Sequence, residues 1–352
     1  MKARAKIILA VAMVMRMTEL GINRRNGAKI AIIGAGKIGT NVAFQVFDKL
    51  GRVGLVEEIV LIGKHREEVD CVAEEINHSN DGHIATRLKP CTTPHSAVGS
   101  DIIVYAAGRT IRPRETRESL LMENGLLARR IREELTLTGN EIFITVTNPV
   151  DVLNTYFSRE LGLPMNKVLG FGGMLDSARF RYVLAEHFRH DFNITLLPQD
   201  VKGAFVLGQH GDNMTPIFEN VEFPADMPRM TPSGIEKIRK DMAEIVPKLI
   251  RVRGCADLAP SAHISRMIEM LLQNVDSVVE CCSVVPSKQL QRHFSGEVLD
   301  VSFGIPVTLK KGGISAVVLD ISEERQSQIG KGVKEIRDYV EMLYDIDVEH
   351  KR

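Results

Sequence analysis

The sequence predicts an α/β protein, with a parallel sheet and helices in its N-terminal part and a mixed α+β unit in its C-terminal part. Up to about residue 150, short apolar runs rich in valine and isoleucine alternate with helical patterns, which is typical of βαβ units. Beyond that point the alternation is lost, and strand and helix patterns are grouped differently. At 352 residues, the chain is long enough for two closely packed domains.

The first predicted element is a strand over residues 29–33, followed directly by a G-x-G-x-x-G pattern and a helix predicted from Thr40. Between a strand and a helix, such glycines permit a tight turn, close approach of a pyrophosphate to the backbone, and tight packing of the helix on the strand. The free N–H groups at the start of the helix attract phosphates. We therefore expect a Rossmann-type dinucleotide-binding turn. Its predicted cofactor contacts are Gly34, Gly36, Lys37, Ile38 and Gly39.

The later elements are predicted from the same patterns. The run DIIVYA is apolar after its first residue, as expected for a strand that is buried on both faces of a parallel sheet. Ser322 precedes a long helical pattern and is a suitable N-cap. In the N-terminal part, strands are predicted over residues 58–62, 84–89, 101–106, 141–147 and 167–169, and helices over 67–78 and 118–135. In the C-terminal part, strands are predicted over 201–207, 301–309 and 314–319, and helices over 178–188 and 322–344.

These elements divide the chain into an N-terminal extension over residues 1–28, a dinucleotide-binding Rossmann domain over 29–150 and a substrate domain over 151–350. The extension has a basic start and a short apolar run, as a secretory signal does. However, charged residues follow at once without an A-x-A cleavage site, and a membrane span needs about 20 apolar residues. We therefore predict a helical or disordered extension.

Charge and cysteine content argue against several classes of protein. Lys+Arg and Asp+Glu both number 45, so the net charge indicates neither a nucleic acid nor a membrane as partner. The five cysteines are odd in number and lack C-x-x-C spacing, which is typical of a reduced, cytoplasmic protein without disulfide bonds or a metal site. Adjacent Cys281 and Cys282 are predicted to be small buried side chains rather than a redox pair.

The end of the second predicted strand bears on the choice of cofactor, because NAD-binding domains usually carry a carboxylate there that binds the adenosine ribose. Gly63 occupies this position, and Lys64, His65 and Arg66 follow it. A phosphate on the ribose 2′-oxygen would meet no repulsion and up to three cationic donors. We therefore predict a preference for NADP, with NAD possible if the segment is only a solvated turn. A Gly63→Asp substitution is predicted to shift the preference toward NADH.

Three further segments carry polar residues that apolar packing would not require. GRTIRPRETR begins at Gly108, follows a predicted strand and contains four arginines. In GFGGMLDSARFR, Asp176 and Arg179 are three residues apart and would share one face of a helix. LGQHGD contains His210. Taken singly, these segments have simpler explanations: an exposed basic loop, a surface ion pair and a structural histidine.

Taken together, the segments resemble the L-lactate/L-malate dehydrogenase family, from about residue 29 to the final helix. The chain contains, in order, the glycine turn, AG-x8-R, VTNPVD, LDSARFR, LGQHGD and FGIPVTL. GFGGMLDSARFR looks most like the malate dehydrogenases of the lactate-dehydrogenase-like branch. The resemblance implies an oxidoreductase that moves a hydride between NAD(P) and C2 of a small 2-hydroxy or 2-keto acid. It also implies a homodimer or homotetramer, for which residues 235–253 and 257–279 are candidate contact surfaces.

The resemblance also implies a role for each polar residue. His210 would be the acid/base, which suits an imidazole because its pKa lies near neutrality. Asp176 would orient that ring, and Arg179 would bind the substrate carboxylate with its two-pronged guanidinium. Arg117 would come down with a mobile loop and polarise the ketone oxygen, while Asn148 would help to hold substrate and nicotinamide. The remaining implied cofactor contacts are Ala107, Gly108, Asn124, Val146 and Asn148.

One position departs from the pattern of malate dehydrogenases. Counted back from Arg117, Ile111 stands where those enzymes carry the arginine that binds the second carboxylate, and burying a carboxylate against isoleucine is costly. Either the loop is displaced by one residue, so that Arg112 binds the carboxylate of malate, or the pocket is apolar. In the second case the enzyme would be a lactate dehydrogenase or act on a larger apolar 2-hydroxy acid. Ala256 is small and leaves room for either, and the surrounding motifs favour malate.

Two other classes of protein are weighed against this prediction. NAD-dependent glycosidases use a related fold but need a divalent metal held by cysteine and histidine, and no cysteine adjoins His210. A non-catalytic nucleotide-binding protein would be expected to lack one or more of the polar residues, and all of them are present. A dehydrogenase therefore remains the favoured prediction.

Overall fold

The computed structural model describes residues 27–110, 115–211, 213–273, 278–287 and 300–350. The predicted N-terminal extension lies outside these residues except for its last two. Counted over the described residues, the fold is one continuous sheet of 11 strands with eight α-helices. The predicted α/β fold class is confirmed.

The N-terminal half of the sheet is parallel throughout. Its strands are β1 (Ala28–Ile33), β2 (Val56–Ile62), β3 (Arg87–Cys91), β4 (Ile102–Tyr105), β5 (Ile142–Thr145) and β6 (Val168–Gly170). They lie in the order β3-β2-β1-β4-β5-β6, and each neighbouring pair is parallel. Every residue of β4 is buried, which explains its continuous apolar run. The strand order reverses between β1 and β4, and sheets of this kind bind ligands outside the carboxyl ends of the strands at that point.

Four helices connect these strands. They are α1 (Lys37–Gln45), α2 (Arg66–His78), α3 (Arg117–Glu134) and α4 (Val150–Glu160). A π-helical turn over Val46–Gly51 extends α1. Helix α4 packs Phe157 against Tyr105 of β4 and Phe143 of β5, with ring centroids 4.8 and 4.7 Å away. This buried aromatic cluster fixes α4, and with it the start of α4, at the carboxyl edge of the sheet.

The C-terminal half of the sheet is antiparallel. Its strands are β7 (Phe205–Gly208), β8 (Met214–Ile217), β9 (Val278–Val284), β10 (Phe303–Lys310) and β11 (Gly313–Ala316). They continue from β6 in the order β9-β10-β7-β8, and β11 pairs with β10. The helices are α5 (Gly173–Phe192), α6 (Pro232–Arg253), α7 (Leu258–Leu272) and α8 (Glu323–His350). The mixed α+β character is confirmed, and the division of the chain after residue 150 stays a prediction.

Two predicted strands are displaced for local reasons. The strand predicted over 84–89 begins only at Arg87, because the Asn80 side chain binds both the N–H and the carbonyl of Ile84. The strand predicted over 201–207 begins only at Phe205, because Gly203 adopts a φ of +65° and interrupts the extended chain. Patterns of apolar residues do not reveal either interruption.

Other elements are longer than predicted or were not predicted. The helix predicted over 178–188 is α5, which begins at Gly173 and ends at Phe192. Its predicted start is too late because Gly172, its N-cap, and Gly173, its first residue, do not look like helix formers. The final helix extends to His350, and Ser322 accepts a hydrogen bond from the Arg325 N–H at 3.4 Å, as its predicted capping role requires. Helix α4 and strands β8 and β9 had no counterpart among the predicted elements. The predicted 257–279 run is divided between α7 and the start of β9.

Candidate active site

The glycine turn lies at the carboxyl end of β1, where the strand order reverses. Gly34 has a φ of +114°, and a Cβ there would lie 2.5 Å from the Ala107 nitrogen. A Cβ on Gly39 would lie 1.7 Å from the Gly34 carbonyl oxygen, so α1 packs directly on the turn. A Cβ on Gly36, in contrast, would meet no atom within 4 Å. Open space at Gly36, next to the free N–H groups at the start of α1, fits an approaching pyrophosphate.

At the end of β2, Gly63 is followed by three exposed side chains of Lys64, His65 and Arg66. Arg66 is the first residue of α2, and its Nε donates to Asp70 Oδ2 at 2.7 Å, so Asp70 competes with any anionic ligand for this guanidinium. A Cβ on Gly63 would lie 2.2 Å from Val69 Cγ2. A Gly63→Asp substitution would therefore also push on the packing of α2 against the sheet, and its predicted effect on cofactor choice stays a prediction.

Asn124 ties together the loops that follow β4 and β5. Its side-chain oxygen accepts from the Arg109 N–H at 3.0 Å, and its nitrogen donates to the carbonyls of Arg109 and Asn148 at 3.1 and 2.7 Å. Asn124 is 1% exposed, whereas Asn148 is exposed at the end of β5. A Cβ on Gly108 would lie 2.5 Å from Thr147 Cγ2, so the two loops are in close contact.

The other predicted contacts lie near this crevice or fall outside the residues that the structure describes. Ala107 is half-buried, and Val146 is buried behind the strand ends. Arg117 is the first residue of α3, whose N-cap Thr116 accepts from the Ser119 N–H at 3.2 Å. Ile111 and Arg112 fall outside the described residues, so the choice between them stays open. Arg109, a third cation of this loop, forms ion pairs with Glu115 and Glu123.

The Asp176 carboxylate binds two of the predicted site residues at once. Its Oδ2 lies 2.6 Å from His210 Nδ1, and its Oδ1 accepts from Arg179 Nη1 at 3.3 Å. Asp176 is 3% exposed, while the side chains of His210 and Arg179 are 19% and 15% exposed. Among the residues that the structure describes, His210 Nε2 has no hydrogen-bond partner. The imidazole and guanidinium therefore face outward from a buried carboxylate that orients both.

The environment favours the charged form of His210. Burial opposes the charge, but the carboxylates of Asp176 and Asp151 outweigh it and raise the pKa of the imidazole. Burial lowers the pKa of Arg179, which Asp176 counteracts, and a guanidinium stays charged well above neutrality. The site therefore presents two positive groups and suits an anionic ligand.

Glycines make the position of His210 possible. Gly172 precedes α5, and a Cβ there would lie 2.9 Å from His210 Cγ. Gly208 and Gly211, with φ of +84° and +109°, flank the histidine and allow its sharp turn after β7. Gly172 lies in the GFGG part of the predicted motif, but its spacing from His210 in the sequence does not indicate that the two residues meet.

A cavity of about 330 Å³ opens beside Arg179, between α5, α6 and α7. Ala256 contributes to its wall, as its small size suggested, and His263 of α7 faces it. Burial and the nearby cations Arg181, Arg266 and Arg179 lower the pKa of His263 to about 4, so its ring is neutral at neutral pH. The cavity is lined mainly by apolar side chains, those of Leu175, Ala178, Ile245, Leu249, Ala256, Leu258 and Ala259.

The described residues show neither a metal site nor a membrane-spanning helix. They contain no group of three or more histidine, cysteine, aspartate or glutamate side chains arranged to hold a metal ion. None of their helices is long and apolar enough to cross a membrane. Cys281 and Cys282 are both buried, as predicted.

A Rossmann crevice with an open glycine turn, beside a histidine oriented by a buried carboxylate, defines a class of nicotinamide-dependent oxidoreductases. The chain belongs to the lactate/malate dehydrogenase family. The model for the NAD binding domain of that family matches residues 28–170, and the model for its alpha/beta C-terminal domain matches residues 173–345. The resemblance stated from the sequence is confirmed.

Individual relatives carry both names of the family. The chain is 29% identical to a malate dehydrogenase of Haloarcula marismortui, over 90% of this chain and 99% of the relative. It is 28% identical to an L-lactate dehydrogenase of Bacillus velezensis, over 88% and 95%. Among solved structures, malate dehydrogenase of Cryptosporidium parvum has a TM-score of 0.79 at 28% identity, covering 91% of this chain and 99% of that one. The lactate dehydrogenase of the same organism, complexed with lactic acid and nicotinamide adenine dinucleotide, has a TM-score of 0.77 at 28% identity, covering 90% and 98%.

Proposed function

We propose that this protein is an L-2-hydroxy acid dehydrogenase that interconverts malate and oxaloacetate and prefers NADP to NAD. The observation that carries the proposal is the Asp176 carboxylate, which holds the His210 imidazole with one oxygen and the Arg179 guanidinium with the other. One site thereby contains a proton carrier and an anchor for a substrate carboxylate. Reduction of a 2-keto acid requires these two groups of the protein.

The bound nicotinamide would supply the hydride that adds to C2 of the keto acid. Arg179 would bind the C1 carboxylate through two parallel N–H groups. His210 would hold a proton on Nε2 and donate it to the ketone oxygen, while its Nδ1–H stays on Asp176. Arg117 would stabilise the negative charge that develops on that oxygen, and exposed Asn148 would hold substrate beside the cofactor. In the oxidative direction, neutral His210 would accept the hydroxyl proton.

The chain's own residues fit a dinucleotide. Gly36 leaves space beside the α1 N-terminus, and Gly34 and Gly39 keep the turn tight. The proposed contacts along the rest of the crevice are Lys37, Ile38, Ala107, Gly108, Asn124, Val146 and Asn148.

The preference for NADP is proposed from the end of β2. Gly63 places no carboxylate against a 2′-phosphate, and Lys64, His65 and Arg66 are all exposed beside it. Asp70 already binds Arg66, but a dianionic phosphate offers the guanidinium a stronger partner. Because a side chain at Gly63 would press on Val69, selectivity is better altered at the three exposed residues.

The choice of malate is supported by the malate-like motifs and by the arginines of the segment after β4. Arg112 would bind the second carboxylate. The mainly apolar cavity beside Arg179 favours a second candidate, a 2-keto acid with a hydrocarbon side chain, because such a side chain would replace water against leucine and isoleucine. Ile111 is consistent with that candidate, as it is with pyruvate.

The test compares kcat/KM for oxaloacetate, pyruvate and 2-ketoisocaproate, each with NADPH and with NADH. We expect oxaloacetate with NADPH to give the highest value, by at least about tenfold, since one charged contact contributes about 1.5–3 kcal/mol. Faster turnover of 2-ketoisocaproate would select the apolar candidate, and Arg112→Gln would then have no effect on it. Preference for NADH would contradict the cofactor proposal alone. Absence of turnover on all three acids would contradict the dehydrogenase itself.

A Gly172→Ala substitution is expected to lower kcat by about 10- to 100-fold, because the new methyl group would push the His210 ring from its place and small misplacements are costly to catalysis. The matched control is Gly330→Ala in α8, where a Cβ would meet no atom within 4 Å. Both variants are compared by steady-state kinetics and thermal unfolding. Equal kcat values in the two variants would show that Gly172 does not constrain the histidine.

Assembly as a homodimer or homotetramer and a cytoplasmic location are part of the same proposal. Exposed apolar side chains of Tyr182, Val252 and Leu258 lie on α5, α6 and α7 and support contact with another subunit. All five cysteines are free, which supports a reducing compartment.

A further inference from the structure

A buried carboxylate lies directly beneath the backbone of His210. Asp151 is the second residue of α4 and is 3% exposed. Its Oδ2 accepts a hydrogen bond from the His210 backbone N–H at 2.7 Å. Its Oδ1 accepts from the Ser283 hydroxyl of β9. The mechanism proposed above uses neither Asp151 nor Ser283, yet enclosing a carboxylate is costly and calls for a physical reason.

The hydroxyl groups around Asp151 are ordered by their neighbours. Ser302 Oγ accepts from Asn154 Nδ2 at 2.8 Å and lies 2.9 Å from Ser283 Oγ. Because Ser283 gives its only hydroxyl proton to Asp151, Ser302 must donate to Ser283. The Asn154 side-chain oxygen in turn accepts from Thr145 Oγ1 at 2.9 Å. One chain of donors therefore runs from Thr145 through Asn154, Ser302 and Ser283 to Asp151, while Asn154 Nδ2 also donates to the Ser283 carbonyl at 3.0 Å.

The network joins distant parts of the chain. Asp151 and His210 are 59 positions apart, and Asp151 and Ser283 are 132 apart. Asn154, Ser283 and Ser302 are each at most 1% exposed, so water does not compete for these bonds. Enclosed hydrogen bonds of this kind are stronger than exposed ones and fix a single geometry.

The network also has an electrostatic consequence. Both Asp151 oxygens accept hydrogen bonds, which favours the ionised form, and the start of α4 favours a negative charge. Burial outweighs these effects and raises the pKa of Asp151 to about 6, so the carboxylate is mostly ionised at neutral pH. The charged groups that face His210 are then Asp176 on one side, Asp151 beneath the backbone, and Arg179, which opposes them.

We propose that Asp151 is a positioning residue: it fixes the turn that carries His210 and, as a second negative charge beside the backbone of that residue, supports the imidazolium. Ser283, Ser302 and Asn154 hold Asp151 in place. This inference rests on the proposed acid/base role of His210. It adds a second carboxylate, supplied by α4 rather than by α5, to the one that contacts the ring.

The decisive variant is Asp151→Asn, which keeps an acceptor for the His210 N–H and removes the charge. The pKa of the His210 imidazole is measured by NMR titration in the cofactor-free protein, and the resonance is assigned with His210→Gln. We expect Asp151→Asn to lower this pKa by on the order of one unit, as the loss of a charge several ångströms away requires. Ser158→Ala is the matched control, since Ser158 also lies buried on α4 but donates only to the Asn154 carbonyl.

Kinetics separate this inference from the proposed function. With a 2-keto acid as substrate, the upper limb of the kcat/KM profile should shift to lower pH in Asp151→Asn and stay in place in Ser158→Ala. If Asp151→Asn does not fold, Ser283→Ala, which removes one donor to the carboxylate, should shift the limb in the same direction by less. An unshifted His210 pKa in a folded Asp151→Asn or Ser283→Ala protein would overturn the inference while turnover continued. Absence of turnover by the wild-type protein on every keto acid would overturn the proposed function, and the NMR result would still decide the role of Asp151.

Discussion

Asp176→Asn is expected to lower kcat by roughly 10³- to 10⁴-fold in a protein that still folds, as removal of the orienting carboxylate does in a Ser-His-Asp triad. Two effects combine. An amide in place of the carboxylate can donate to Nδ1 and so trap the ring in the wrong tautomer, and it no longer supports the imidazolium. Arg179, which lies 3.3 Å from Oδ1 in the wild-type protein, would keep a neutral amide acceptor but lose its charged partner.

Asp176→Asn should also change the pH dependence of the reaction rate, in a direction that follows from the raised pKa of His210. Burial opposes the charge on His210, but Asp176, with a smaller contribution from Asp151, outweighs it and raises the pKa of the imidazole. Reduction of a keto acid needs the protonated ring, so its rate is retained at low pH and lost as pH rises through that raised pKa. Without Asp176 the pKa falls, and the loss should begin at a lower pH. Oxidation of the hydroxy acid needs the neutral ring and should show the opposite trend.

A second histidine–aspartate pair on α5 provides the matched control. His187 Nδ1 lies 2.9 Å from Asp191 Oδ2, one helical turn apart, and Lys237 of α6 also binds Asp191. Asp191→Asn removes a histidine–aspartate ion pair about three to four helical turns along α5 from Asp176, and kcat should stay within about twofold, as for surface substitutions. A kcat for Asp176→Asn within threefold of wild type, or an equal loss in Asp191→Asn, would remove the carboxylate from the proposed mechanism.

The sequence predicts those features that depend on neighbours in the chain. The glycine turn could be predicted because its three glycines and the flanking strand and helix are contiguous, and Asp176 and Arg179 because three positions span one turn of a helix. The contact of His210 with Asp176 bridges 34 positions and was predicted only through resemblance to a family. Spacing alone left His210 as a structural histidine.

The features that were missed depend on packing between distant elements. Asp151 is the last residue of VTNPVD, but nothing near it in the chain shows that the His210 N–H points at it. Gly172 looks like any glycine before a helix until the imidazole is found against it. The crowding at Gly63 is hidden for the same reason, since the obstructing Val69 methyl group belongs to the next helix. Three-dimensional contacts of this kind leave no periodic signal.

Arg179→Lys is expected to raise KM for the keto acid by about 100-fold or more, with a smaller effect on kcat. Lysine keeps the positive charge beside Asp176 but loses the planar pair of N–H groups that matches a carboxylate. A contact made equally in the ground state and the transition state mainly affects KM. Arg189→Lys, at an exposed ion pair with Glu186 on the same helix, should leave both constants unchanged.

His210 and Arg179 share one carboxylate, so the effects of substitutions at Asp176 and Arg179 should be coupled. Because Asp176 binds His210 and Arg179 through different oxygens, removing Asp176 should already disorder Arg179. The effects of Asp176→Asn and Arg179→Lys on kcat/KM should therefore be less than additive in the double variant, as for residues that act as one unit. Strict additivity would mean that the two side chains work independently, and that Asp176 orients the imidazole alone. A kcat loss in Arg179→Lys as large as in Asp176→Asn would instead show that the guanidinium acts on the proton transfer and not only on the carboxylate.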